Sequence, residues 1–289
     1  MKKNRRYYIF GGIFILIGLF AFVWPSGDAP SNNISGTVRG EPSCQMVNEA
    51  FAGGEKINYK LYYNLNFIWI PAAEVTFEVK DLGDEFYIRT EAKTLKSYDW
   101  FFKVRDIYEV TLDKETLLPN HSIRQVQEGG YKLFDELHYD HDRGIVSSLR
   151  GKTKEKANLR EYPISSCIHD VLSVIYYARN LDFDTYEAGD KFPVSIFMDK
   201  EEWKLNVKYG GLTNEKKIKG RGKFDTYLFH PEVISGHVFK ENTQMNVYVS
   251  QDENRIPLLI ESPISVGSVK AVMTSSENLR HGELIQVSK

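Results

Sequence analysis

The side chains that could carry chemistry are few and widely spaced. Cysteine occurs twice, as Cys44 and Cys167, so no Cys-x-x-Cys redox or zinc motif can be built. Two options stand for this pair: a disulfide, which an exported chain permits, or two buried thiols. Histidine and acid are densest in His138-Tyr139-Asp140-His141-Asp142. On a strand, His138 and Asp140 share one face while His141 takes the other. The run then passes into Asp142-Arg143-Gly144, a turn sequence, so a polar hairpin end is expected there rather than a metal site. His169 and Asp170 are neighbours on a predicted helix and diverge by about 100°. His169 therefore reads as a helix-surface or cap-region residue rather than a general base. His230 and His237 bracket Pro231-Glu232 with no identifiable partner, and Glu74 and Glu91 are carboxylates that a cleft could hold. The sequence has no nucleophile elbow, zinc-protease helix or phosphate loop, and Gly220-Arg221-Gly222 lacks the rest of a dinucleotide fingerprint. No catalytic residue, metal or cofactor is expected.

Binding is better represented than catalysis. Tyr98-Asp99-Trp100-Phe101-Phe102 and Asn66-Phe67-Ile68-Trp69-Ile70-Pro71 place consecutive large apolar residues where strand alternation would put a polar one. One reading is an apolar rim or pocket for a lipid-like ligand or an envelope partner, with Trp69, Trp100, Phe101, Phe102 and the helical Tyr176 as ligand-binding candidates. The other is strands buried on both faces or packed under a helix.

The elements that would position these residues are mostly strands. Alternation marks Glu55 to Tyr63, Glu74 to Val79, Phe86 to Thr94, Ile107 to Leu112, Ser122 to Val126 and Lys132 to Asp140. After the middle of the chain it marks Lys191 to Met198, Glu202 to Tyr209, Asn246 to Ser250, Pro257 to Glu261 and Ser268 to Thr274. Between them, Ser165 to Asn180 has a helical period: Ile168, Val171, Leu172, Ile175 and Tyr176 make one stripe. Ser165 or Ser166 can cap its start, Asp170 adds negative charge early, and Arg179 suits its last turn. Tyr108 to Pro119 and Val247 to Pro257 echo each other as strand, Asp turn and Pro-led return strand. The predicted fold is mainly β: curved antiparallel sheets, a barrel or a half-barrel, with two β halves around a central amphipathic helix over 165–180.

Upstream lies a different kind of segment. Met1 to Arg6 carries four positive charges, and Tyr7 to Trp24 carries none of either sign. As a helix that run would be roughly 27 Å long, close to a hydrocarbon core of about 30 Å. The basic head keeps the N-terminus cytoplasmic and sends the downstream chain across the membrane. The bulky Phe20 to Pro25 favours a retained anchor over 1–24, and a cleaved, soluble periplasmic form is the alternative. Pro25 to Ser43 is too poor in apolar side chains to fold and reads as a spacer. The β domain then runs over 44–281, with a tail over 282–289. Net charge is −2, and the cluster Lys216-Lys217-Ile218-Lys219-Gly220-Arg221 reads as a solvated hairpin turn, so no nucleic-acid partner is expected.

An ordered series of short stretches resembles the bacterial domain-of-unknown-function family 3108. They are Gly54-Glu55-Lys56-Ile57-Asn58-Tyr59, Ala72-Ala73-Glu74-Val75, Tyr98, and Asp113 to Pro119; then His169 to Arg179, Gly189-Asp190, Asp252-Glu253-Asn254-Arg255-Ile256-Pro257 and Gly267-Ser268-Val269. Ala73 stands where many members are expected to have Gly. The resemblance implies an exported β-rich protein and brings no catalytic residue. A looser likeness, at the level of fold, is to half-barrel lipoprotein carriers, in which helical segments plug an apolar hollow. Together these readings point to a non-enzymatic envelope protein, held at the periplasmic side of the inner membrane through residues 7–24. It would bind an apolar molecule or an envelope protein on a concave β surface. A structural or assembly module is the alternative, and an enzyme without a recognisable motif the third.

Overall fold

Alternation settles where the strands form and which way they face. In Glu85–Thr94, Phe86, Ile88, Thr90, Ala92 and Thr94 are buried, while Tyr87, Arg89, Glu91 and Lys93 turn outward. One face of the strand thus joins the core and the other meets water. The computed structural model describes residues 44–288 except 66–67, 101, 234–242 and 265–266. The expected membrane segment over 7–24, the spacer over 25–43, Phe101 and His237 lie outside the described residues.

Eight strands precede the helix: β1 (Lys56–Leu65), β2 (Ile68–Asp81), β3 (Glu85–Thr94), β4 (Arg105–Asp113), β5 (Pro119–Glu128), β6 (Tyr131–Asp140), β7 (Ile145–Gly151) and β8 (Asn158–Pro163). The short β9 (Ile168–His169) leads into the helix α1 (Ser173–Ala178). Then come β10 (Lys191–Met198), β11 (Glu201–Ile218), β12 (Gly222–Pro231), β13 (Asn246–Ser250), β14 (Pro257–Pro263) and β15 (Ser268–Glu277). All fifteen belong to one sheet, ordered β8 to β1 and then β15 to β9. Neighbours are antiparallel except β9 and β10. Strands stand on either side of the helix as expected, but they form one continuous sheet, joined where β1 pairs with β15 (Leu61 opposite Ala271).

The sheet curls until its edges meet through side chains. β8 and β9 share no ladder, yet they are consecutive in the chain. Tyr162 on β8 packs on Phe197 on β10, ring centroids 5.6 Å apart. Ile164 and Ile168 bury with Leu137, Val146 and Phe197 across the seam. A disulfide joins Cys44 to Cys167 just before β9, with Cα atoms 4.8 Å apart.

The helix is shorter than its period indicated: 173–178 instead of 165–180. Cys167 has φ +58°, a left-handed conformation that no helix continues through. Ile168 and His169 instead hydrogen-bond as strand to Ser195 and Ile196. Asp170, not Ser165 or Ser166, caps the start. Its Oδ1 accepts from the backbone N–H of Leu172 (3.1 Å) and Ser173 (2.6 Å), and the Ser173 hydroxyl accepts from the Asp170 N–H at 2.7 Å. That reciprocal pair is a capping box with its residue types exchanged. The echoed hairpins do form. In β4–β5 and in β13–β14 an aspartate (Asp113, Asp252) accepts from the N–H groups two and three residues on. In each, a left-handed residue (Leu117, Arg255) comes shortly before the proline.

Candidate functional site

One end of the curled sheet is closed by segments that meet on Arg179. Its guanidinium donates to both oxygens of Glu55 (2.7 and 2.8 Å), to the Asn254 carbonyl (2.9 and 3.1 Å) and to the Ala50 carbonyl (3.2 Å). Arg179 is 4 % exposed and Glu55 1 %. Burial opposes the charge on Arg179, but the adjacent Glu55 carboxylate outweighs it and holds the guanidinium above its usual range. The same cation lies over the rings of Phe51 (5.5 Å) and Tyr176 (5.2 Å). The N-terminal segment, the helix and the β13–β14 turn are thereby fixed to one another.

Beyond this brace the interior is not filled. A cavity of about 180 Å³ lies between α1 and the inner faces of β1, β2 and β10 to β15. Ile57, Tyr59 and Leu61 form one wall, Phe192, Val194 and Ile196 another, and Ile175 and Tyr176 look in from the helix. Exposed Glu232, beside half-buried Pro231 and Val207, marks where the hollow meets solvent. Among the described residues, charged groups reach the lining only as Arg179, Arg255 and Glu232. Tyr59 and Tyr176 are buried there, and burial raises both phenols far above their usual range. Both stay neutral, so the cavity is apolar with hydroxyls at its margin.

The opposite part of the interior is charged. One transverse row of paired residues starts at the hollow with Ile57 and Phe77. It continues through Thr90, Tyr108, Arg124, Asp135 and Arg150 on β3 to β7. Arg124 donates to Asp135 (3.0 Å) and to Asp199 in the β10–β11 turn (2.7 Å). Arg150 binds the same two carboxylates, reaching Asp199 at 2.6 Å. Thr90 Oγ1, Tyr108 Oη and Arg124 Nη1 are buried with no hydrogen-bond partner among the described residues. Near them Asp106 and Glu128 form a carboxyl pair. Burial raises Asp106 to about 6. Burial and then the Asp106 charge raise Glu128 to about 8. The pair therefore holds a proton at neutral pH.

The predicted binding residues divide. Tyr176 lines the hollow. Trp69, Trp100 and Phe102 do not. Trp69 is half-buried beneath the Lys270 ammonium, 4.4 Å from its ring centre. Trp100 is 84 % exposed on the loop after β3, which an Asp99–Arg105 ion pair of 2.5 Å pins in place. Phe102 packs on Gly129, where a Cβ would come within 2.9 Å of its ring. These aromatics rest on local partners at a rim of the sheet, and the cavity is made by alternating strand residues such as Ile57, Val194 and Val249. The signal for them was the alternation itself, which marks inward positions but not the void they surround.

The histidine and acid segments resolve in the same way. His169 is buried, packed at a tilt against Tyr177 (ring centroids 4.5 Å apart) and bonded to the Ser173 hydroxyl, and burial lowers it to about 3, so it is neutral. It is a core residue rather than a surface one. His138 faces His121 across the β5–β6 pair, ring centroids 4.4 Å apart, with Glu136 Oε1 3.2 Å from His121 Nε2. His121, Glu136 and His138 are the described residues that could hold a metal ion. Lys154 also occupies Glu136, at 3.1 Å.

This arrangement of strands is similar to that of a β-barrel-like protein of the domain of unknown function DUF1849 from Brucella abortus. The TM-score is 0.55 at 10% identity, covering 81% of this chain and 99% of that one. A Bacteroides fragilis protein with a YmcC-like fold aligns at 9% identity over 82% of this chain and 100% of that one, with a TM-score of 0.26 that is too low to argue from. No curated protein matches the chain. The model of the proteins of unknown function DUF3108 matches residues 58–274, most of the chain, and the chain belongs to that family.

Proposed function

We propose that the protein is a non-enzymatic binding protein of the cell envelope that takes the end of an acyl chain into its hollow. The apolar cavity beside α1 carries this reading. A dry cavity of about 150 Å³ lined by Leu, Ile and Phe takes up benzene. One of about 180 Å³ has room for an aromatic ring or a few methylenes. It is too small for a whole lipid, so the rest of such a ligand would lie outside, past Glu232. The N-terminal apolar run suits a protein working at the periplasmic face of the inner membrane, within reach of lipid.

The test is uptake of a fluorescent apolar probe, N-phenyl-1-naphthylamine, and its displacement by fatty acids. Ala271→Phe places a ring in the hollow and is expected to lower probe affinity at least tenfold in a protein that still unfolds cooperatively. Equal affinity in the folded variant would refute a site in this cavity. A second reading, an assembly module, is favoured by Ile68 and Trp100, which are 65 % and 84 % exposed. Under that reading Trp100→Ala removes a partner and leaves probe uptake intact.

A further inference from the structure

A second concavity lies at the seam where the two edges of the sheet meet, and its chemistry is unlike that of the hollow. It measures about 530 Å³ and is lined by Lys132, Arg150, Lys152, Arg160 and Lys200, with no acidic side chain. These cations come from β6, β7, the β7–β8 connection, β8 and the β10–β11 turn, so folding rather than a basic run in the sequence brings them together. Arg150, at the floor, is already paired with Asp135 and Asp199. Lys132, Lys152, Arg160 and Lys200 pair with no carboxylate among the described residues. Four exposed cations around one concavity give it a positive potential that favours an anion, an attraction that salt screens. The whole chain has a net charge of −2, so this local excess is not a general property of its surface.

The turn that supplies Lys200 is held in a costly conformation. Asp199 and Lys200 have φ of +52° and +77°, left-handed backbone usually given to Gly or Asn. The Asp199 carboxylate is clamped by Arg124 (2.7 Å) and Arg150 (2.6 Å), which fixes the turn and with it the base of the Lys200 side chain at the rim. Tyr131, Leu133 and Tyr162 supply apolar wall beside the cations. A site of this kind suits a charged group that carries an organic part.

We propose that this cleft binds a phosphate-bearing anion, with Lys132, Lys152, Arg160 and Lys200 as its cationic contacts. Phosphate oxygens accept from ammonium donors as from point charges and from guanidinium donors through a fork. The phosphate could belong to a soluble ester or to a lipid headgroup, and the chemistry of recognition is the same.

The test uses the whole exported domain and three probes: inorganic phosphate, glycerol 3-phosphate, and phosphatidylcholine vesicles with or without phosphatidylglycerol. Binding is followed by calorimetry and by vesicle co-sedimentation. Lys132→Glu/Lys200→Glu is compared with Lys96→Glu/Lys217→Glu, an equal charge change at exposed positions outside the cleft. The expected result is binding of at least one phosphate probe that weakens with salt, falls at least tenfold in the cleft variant and changes less than twofold in the control. Binding of glycerol 3-phosphate assigns a soluble ester, and binding only of phosphatidylglycerol vesicles assigns a headgroup; both support the site. No binding of any probe by a folded protein, or equal losses in the two variants, would overturn it. The mutated lysines make no ion pair among the described residues, so both variants are expected to unfold at the wild-type temperature.

Discussion

Arg179 links Ala50, Glu55 and Asn254 across more than half the chain. Removing one partner of a buried ion pair leaves the other charge in a low dielectric, at a cost of about 3–5 kcal/mol. Arg179→Met is expected to lose that much in urea unfolding, and Arg179→Met/Glu55→Gln to recover part of it. Glu128 gives a pH signature. Its folded carboxyl is raised to about 8, so the native state keeps a proton that the unfolded chain releases near pH 4.3. That stabilisation is complete below the unfolded value and is lost as pH rises through about 8. Between those limits wild type should lose stability relative to Glu128→Gln by up to about 1.4 kcal/mol per pH unit, as read from urea midpoints. Little of this was legible in the sequence. Arg179 reads there as a cation at a helix end, where one is favoured, but nothing local connects it to Glu55. Asp106 and Glu128 sit on different strands, and no sequence pattern signals that they meet. The alternation of His138 to Asp142 was legible as a strand end, while its cross-strand partner His121 was not.

Elements were read more easily than contacts, and the exceptions have physical causes. β1 to β6 follow alternation, because each has one face in the core. β7, β8 and β12 were not marked by it; in β8 five of the six residues are exposed, so no apolar face marks it. The first half of α1's predicted span misled for the opposite reason. Ile168, Val171 and Leu172 are all buried, so they fit a helical stripe while one of them belongs to a strand. Asp170 decides the boundary through its two backbone hydrogen bonds. Asp170→Ala is expected to cost about 1–2 kcal/mol, seen as a fall in Tm of about 2–4 °C per kcal/mol for a domain of this size. Asp170→Asn, which keeps the accepting oxygen, should fall less.

At the scale of the molecule, two meanders are joined at β1–β15, and their outer parts are tied by the Asp199 clamp and by the Tyr162–Phe197 contact, while Cys44–Cys167 ties the segment before β1 to the chain just before β9. The disulfide spans a sequence separation of 123. In the chain-entropy model a loop of that length contributes about 5 kcal/mol. Cys44→Ser/Cys167→Ser is therefore expected to unfold at lower urea by up to that amount, and thiol labelling of unreduced, denatured wild type should add no mass. The row from Ile57 to Arg150 crosses the first meander: its β1 end is apolar and lines the hollow, and its β7 end is charged and abuts the basic seam. Hydropathy along any single strand does not show that gradient, because it runs across the strands. The most direct measurement of the proposed function is native mass spectrometry of the full chain purified, without lipid extraction, from the cells that make it. The expected spectrum shows a species heavier than the bare chain whose extra mass leaves with organic solvent and carries an acyl chain, and this species is depleted in Ala271→Phe. A spectrum of bare chain alone, from protein purified without lipid extraction, would contradict the binding of an acyl chain in the hollow.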